Sequence, residues 1–93
     1  MKYQIVWDKQ SKDFLKKMNN KDAQRIINKV NGVTENPRRY VETLVEVGAY
    51  KLRVGDYRAI IDIEENNKIL KVLFIGHRKN IYKYLMKKKD FKD

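Results

Sequence analysis

Residues 49–77, AYKLRVGDYRAIIDIEENNKILKVLFIGH, decide the fold. Three strand-like runs, AYKLRV, YRAIIDIE and KILKVLFIG, are separated by Gly55-Asp56 and Asn66-Asn67, two dipeptides suited to tight antiparallel turns. A two-residue loop at Gly55-Asp56 pairs Val54 with Tyr57, Arg53 with Arg58 and Tyr50 with Ile61. The same loop at Asn66-Asn67 pairs Glu65 with Lys68, Asp62 with Lys71, Ile61 with Val72 and Ala59 with Phe74. Opposite charges therefore meet where the second register brings residues face to face, and the two registers support each other.

Side chains alternate across a strand, so the pairing sorts them onto two faces. One face carries Tyr50, Leu52, Val54, Tyr57, Ala59, Ile61, Ile63, Leu70, Val72 and Phe74, without a charge, and helices must cover it. The other carries Lys51, Arg53, Arg58, Ile60, Asp62, Lys71, Leu73, Ile75 and His77, a mixture of cations and hydrophobes that a packed core would not choose. A basic, concave surface is expected there.

Working outward, residues 2–7 (KYQIVW) set Tyr3, Ile5 and Trp7 on one side, the period of a half-buried strand. Asp8 can cap a short helix carrying Phe14, Leu15 and Met18. Asn20 can cap a second, in which Ala23, Ile26, Ile27, Val30 and Val33 follow helical spacing toward Asn36, before Pro37 disfavours continuation. Past His77, the spacing of Ile81, Tyr82, Leu85 and Met86 predicts a short terminal helix. The expected architecture is a small single α+β domain over residues 1–93 in the order βααβββ, with a late helix. Its antiparallel sheet has the two N-terminal helices packed on one face.

Charge bounds the function. The 22 Lys and Arg against 12 Asp and Glu leave +10 in 93 residues, which favours polyanionic partners. The closing KKK of residues 87–89 adds long-range attraction as a solvated end. Absence of cysteine excludes a disulfide scaffold, a thiolate zinc site and a cysteine nucleophile. The most hydrophobic stretch, Ile69 to Ile75, contains Lys71 and is only strand length, so no membrane partner is expected. Residues 1–7 alternate instead of forming an apolar block after a basic start, and a cytoplasmic location is inferred.

The sharpest oddity is Arg53 opposite Arg58, since like charges across a strand pair destabilise by about 0.5 kcal/mol unless an anion joins them. Lys51 shares their face, while His77, Arg78 and Lys79 close the last strand nearby. A phosphate backbone fits this cluster, and a solvated face paired with Asp56, Asp62 or a partner's carboxylates is the alternative. His77 is the only histidine, which excludes a paired-histidine ribonuclease and a histidine metal site, and it is either a proton donor, a stacking platform or a structural residue. Tyr82 could stack on a base or sit half-buried in the core. Ser11, Thr34 and Thr43 lack acid–base partners at useful spacing, and no metal or other cofactor is expected.

The segments YKLRVGDYRAIIDI and VLFIGHRKNIY resemble the signature of the RelE/ParE toxin superfamily, and the element order, covering essentially the whole chain, is similar to that of its RelE-like members. The resemblance implies the toxin of a type II toxin–antitoxin system, a metal-independent endoribonuclease that enters the ribosomal A site and cuts mRNA. It also implies a cognate RelB-like antitoxin that holds the toxin inactive. Carried over by position, the catalytic set is Lys51, Arg58, Arg78 and Tyr82, with Arg53, His77 and Lys79 as RNA-binding residues. Ala49 stands where the best-known member has a second lysine. On this reading the RNA 2′-OH attacks the adjacent phosphate, with Lys51 as base because Arg53 and Arg58 disfavour its protonated form. Arg58 stabilises the phosphorane, Arg78 or His77 serves as acid, and Tyr82 holds the nucleotide. Two alternatives are a ParE-like inhibitor of DNA gyrase and a catalytically degenerate module that binds only antitoxin or RNA.

Overall fold

The computed structural model describes residues 2–86 apart from residue 84, so the KKK run at 87–89 lies outside the described residues. The order is β1 (Gln4–Trp7), α1 (Lys9–Lys17), α2 (Asn20–Gly32), a 3-10 turn (Pro37–Arg39), β2 (Val41–Leu44), β3 (Ala49–Val54), β4 (Tyr57–Glu64) and β5 (Ile69–His77). Residues 81–83, 85 and 86 are helical. The five strands form one sheet in the order β1-β5-β4-β3-β2, antiparallel except where β1 runs parallel to β5.

Two features go beyond the expected βααβββ order. Strand β2 is additional, and it pairs Glu42 with Lys51 and Thr43 with Tyr50 along the edge of β3. The parallel β1–β5 pairing follows from the two helices between β1 and the rest of the sheet, since same-direction strands need a long crossover connection. Helix α2 also stops earlier than its apolar phase predicts, at Gly32 instead of near Asn36. Thr34 ends it: the buried hydroxyl donates to the Asn31 carbonyl at 2.9 Å, and the Thr34 carbonyl accepts from the Tyr3 amide at 2.9 Å. The N-cap is Asn19, one residue before the expected Asn20, and its side chain accepts from the Asp22 amide at 2.9 Å.

The Gly55-Asp56 hairpin has the expected register, with Arg53 opposite Arg58 and Val54 opposite Tyr57. Gly55 takes φ +59°, the left-handed conformation the first position of this turn demands. In the β4–β5 hairpin, Asp62 faces Lys71 and Ile61 faces Val72, as the sequence predicts. Beyond that point a β-bulge intervenes, and Ile60 meets Phe74 while Ala59 meets Ile75, so the expected Ala59–Phe74 pair does not form. Leu73 is the extra residue, and a one-residue slip flips every side chain after it.

The bulge divides the core. Ile26, Val30 and Val33 pack with Leu52, Val54, Ala59, Ile61, Leu70, Val72 and Ile75 on the helix-covered face, with Phe14, Leu15 and Met18 against them. Burial of each such aliphatic side chain contributes about 1.5–3 kcal/mol. Ser11 pins α1 to the sheet by donating to the Val72 carbonyl at 2.9 Å. On the opposite face Ala49, Ile60 and Phe74 form a second cluster with Ile81 and Leu85 of the terminal helical segment. Phe74 and Ile75 have thus exchanged the faces assigned to them from strict alternation.

Candidate functional site

The site is built on the open part of that second face, next to the terminal helical segment. Lys51 on β3 and Arg58 on β4 belong to this face, and by register the Arg53 position does too, as the turn requires. Arg58 is the diagonal neighbour of Lys51, because Lys51 lies opposite Ile60. Ile81 is fully buried in the second cluster, and this anchors the segment so that the exposed Tyr82 reaches the lysine. The Lys51 ammonium donates to the Tyr82 hydroxyl at 3.2 Å and lies 5.5 Å from the centre of its ring.

Strand β2 adds a residue that the sequence reading missed. Glu42 sits directly across from Lys51, and its carboxylate is 2.7 Å from the ammonium. The hydrogen bond to Glu42 holds the Lys51 pKa above its ordinary value, against the opposing effect of burial, with the Tyr82 hydroxyl adding to the rise. Reciprocally, the bond to Lys51 holds Glu42 below the usual carboxylate range, and the field of Arg58 acts in the same direction. The expectation that Lys51 is pushed toward its neutral form is therefore overturned, because a carboxylate is its nearest charged neighbour. The one sequence signal for this is the short VET alternation after Pro37.

The two opposed arginines resolve their repulsion by diverging. Arg58 folds back on the hairpin and donates to the carbonyls of Gly55 and Tyr57, each at 2.8 Å. Arg53 is exposed and lines a separate groove with Arg25 and Lys29 of α2. Arg78 meets the same turn as Arg58: its amide donates to the Asp56 carbonyl at 2.8 Å, and its guanidinium lies 3.8 Å from the Asp56 carboxylate. The Gly55-Asp56 turn therefore brings Arg58 and Arg78 together, while Glu42 and Tyr82 hold Lys51 further along β3.

His77 does not join them. The β5 bulge turns it to the helix-covered side, where it pairs with Tyr57 and stands edge-on to that ring at 5.7 Å. Tyr57 in turn packs edge-on against Phe14 of α1 at 6.2 Å. The imidazole Nδ1 accepts from the Lys79 amide at 3.2 Å, which shapes the chain end leading to the terminal segment. Its expected place on the basic face is thus corrected, and the cause is the extra residue Leu73. Lys79 is exposed. Ala49 is buried in the second cluster, where a lysine's ammonium would lie against Ile60 and Phe74. Among the described residues, no three His, Cys, Asp or Glu side chains gather as a metal-binding group.

A sequence model described as the ParE toxin of type II toxin–antitoxin systems (parDE) matches residues 5–82. The chain belongs to that family. This ParE-family toxin is also similar in fold to solved RelE toxins. A RelBE2 toxin–antitoxin complex from Mycobacterium tuberculosis contains a chain that superposes with a TM-score of 0.77 at 18% identity, covering 84% of the toxin and 100% of that chain. A free E. coli RelE variant gives 0.74 at 20% identity over 90% and 92%. In an archaeal RelE–RelB complex from Pyrococcus horikoshii the values are 0.68 and 24%, over 84% and 97%. No curated protein sequence matches the toxin. Among its described residues, no helix is long and apolar enough to cross a membrane.

Proposed function

We propose that this toxin is a metal-independent endoribonuclease that cuts mRNA in the ribosomal A site, and that a cognate RelB-like antitoxin inhibits it. The observation that carries this reading is the contact of Lys51 with both Tyr82 and Glu42 on an open face within the field of Arg58, with Arg78 at the adjoining Gly55-Asp56 turn. In-line attack of a 2′-OH on its phosphate requires a proton acceptor, cations for the phosphorane charge and a surface that holds the base. Glu42, ionised and 66% exposed, can swing from Lys51 to accept the 2′-OH proton. The phosphate then replaces it at the ammonium.

Lys51 and Arg58 neutralise charge on the equatorial oxygens, and the guanidinium forks of Arg58 and Arg78 clamp the phosphate. Bond formation at the 2′-oxygen expels the 5′-oxygen, which takes its proton from solvent, leaving a 2′,3′-cyclic phosphate and a 5′-hydroxyl. Tyr82 stacks on the nucleotide. Arg53 and Lys79 hold flanking phosphates, and His77 positions the Lys79 backbone without touching RNA. Cytoplasmic ribosomes and mRNA are thus the working partners, and an antitoxin would inhibit by covering this face.

A second reading, inhibition of DNA gyrase, is favoured by the ParE description of the matching family model and by the neutralised Lys51. Translation of a defined message on purified ribosomes, with new 5′ ends mapped, tests the first reading. New ends within codons occupying the A site support it. Intact message together with loss of gyrase supercoiling would replace it with the second, and intact message with unaffected gyrase would leave a binding module.

A further inference from the structure

The geometry points to a second phosphate-binding site, separate from the Lys51 cluster, in the groove between α2 and the β3–β4 turn. Arg25, Asn28 and Lys29 of α2, together with Arg53, Val54 and Gly55, line an open groove of about 420 Å³. Arg25 and Lys29 are one helical turn apart and face the groove from one side, with exposed Arg53 on the other. Gly55 lets the Arg25 guanidinium approach closely, since a Cβ at that position would stand 3.1 Å from its terminal nitrogen. Among the described residues none of the three cations has a carboxylate within ion-pair distance, and the ammonium of Lys29 lies only over the neutral ring of Tyr40, at 5.9 Å. Arg38, Lys51 and Arg78 are ion-paired with Glu65, Glu42 and Asp56 respectively, whereas Arg25, Lys29 and Arg53 line one groove without such a pair.

Three unneutralised cations around an open groove fit a phosphodiester backbone, which offers one negative charge per nucleotide and needs no shaped pocket. Arg53 connects the two sites, because its backbone position is opposite Arg58 while its side chain lines the groove. A strand bound at Lys51 and Arg58 would therefore continue past Arg53 and over the hairpin to Arg25 and Lys29. The partner is RNA, and the assignment rests on the ribonuclease reading above. It adds that substrate or ribosomal RNA is gripped on α2, away from the cleaved bond.

The test is salt-dependent binding of a labelled unstructured RNA oligonucleotide, followed by fluorescence anisotropy. R25A/K29A should lower the slope of log K against log salt by about 1.4, about 0.7 for each lost single-strand contact. K12A/K16A, which removes two exposed cations from α1, should leave the slope near wild type. Equal losses in both double variants would overturn the proposal in favour of net charge alone. An unchanged slope in R25A/K29A with a reduced slope in R58A would overturn the groove while sparing the Lys51 site, and the reverse pattern would support the groove and count against that site. If R25A/K29A binds RNA normally but loses affinity for a polyglutamate peptide, the groove serves an acidic protein and the RNA assignment is wrong.

Discussion

Glu42 faces Lys51 across the β2–β3 ladder, and the two side chains form an ion pair of 2.7 Å on the face that the turn register makes cationic. The pair changes what each group can do. Lys51 is kept as an ammonium, which suits the proposed role of holding phosphate, while Glu42 is kept as a carboxylate and can accept a proton. In the proposed reaction an incoming phosphate competes with Glu42 for the lysine, which would couple binding to activation of the 2′-OH at one contact.

Replacing Glu42 by Gln separates these roles. RNA binding should be equal to or tighter than wild type, because an anion that competes with phosphate is gone. Cleavage should fall at least about 100-fold, the lower range for loss of a general base. Parallel anisotropy and 5′-end mapping check this, and wild-type cleavage by a folded E42Q protein would remove Glu42 from the mechanism.

The ion pair also gives a signed pH dependence. Lys51 has a raised folded pKa, so its contribution to stability is complete below its ordinary 10.5 and fades as pH rises above that value. Glu42 has a lowered folded pKa, so its contribution is complete above its ordinary 4.5 and fades as pH falls below it. The Tm difference between wild type and E42Q should therefore be flat through the neutral range and shrink on both sides. Calorimetry across pH checks this, and a difference growing toward acid would contradict the assignment.

Arg58 tests the site from the other strand. Arg58→Ala removes the proposed phosphorane clamp and should lower cleavage about 100- to 1,000-fold, in the range for loss of one oxyanion donor. Its folded stability should drop by only about 1 kcal/mol, because the bonds to Gly55 and Tyr57 lie at the hairpin surface. Arg58→Lys should remain strongly impaired, since a lysine keeps the charge and loses the planar fork. Recovery of most activity in the lysine variant would mean that charge alone suffices.

Much of this arrangement is legible in the sequence because turn chemistry fixes register. Gly55-Asp56 alone puts Arg53 opposite Arg58 and brings Lys51 to their side. What escapes is set by longer-range packing. Leu73 carries no bulge signal such as Gly, so strict alternation wrongly sends His77 to the basic face and Phe74 to the helices. Strand β2 has only four residues, too few for periodicity to stand out, and with it Glu42 stays hidden as the partner of Lys51. The destination of the Arg53 side chain depends on α2, which no local pattern connects to β3.

The second cluster makes a final prediction about how the fold serves the site. Ile81 is fully buried in the cluster with Ile60 and Phe74, and its burial docks the segment that presents the neighbouring Tyr82. Ile81→Ala leaves a cavity worth about 2–5 kcal/mol, concentrated where a short terminal segment meets the sheet. Local undocking costs less than global unfolding, so residues 81–83, 85 and 86 should lose hydrogen-exchange protection while the α2-facing core keeps it. Cleavage should fall about as far as in Tyr82→Ala, because both variants withdraw the phenol from Lys51. Ile26→Ala supplies the contrast: it weakens the helix-covered core and lowers Tm, but once folded it should cut RNA at close to the wild-type rate. If Ile81→Ala lost stability and kept activity, the terminal segment would have no part in placing Tyr82.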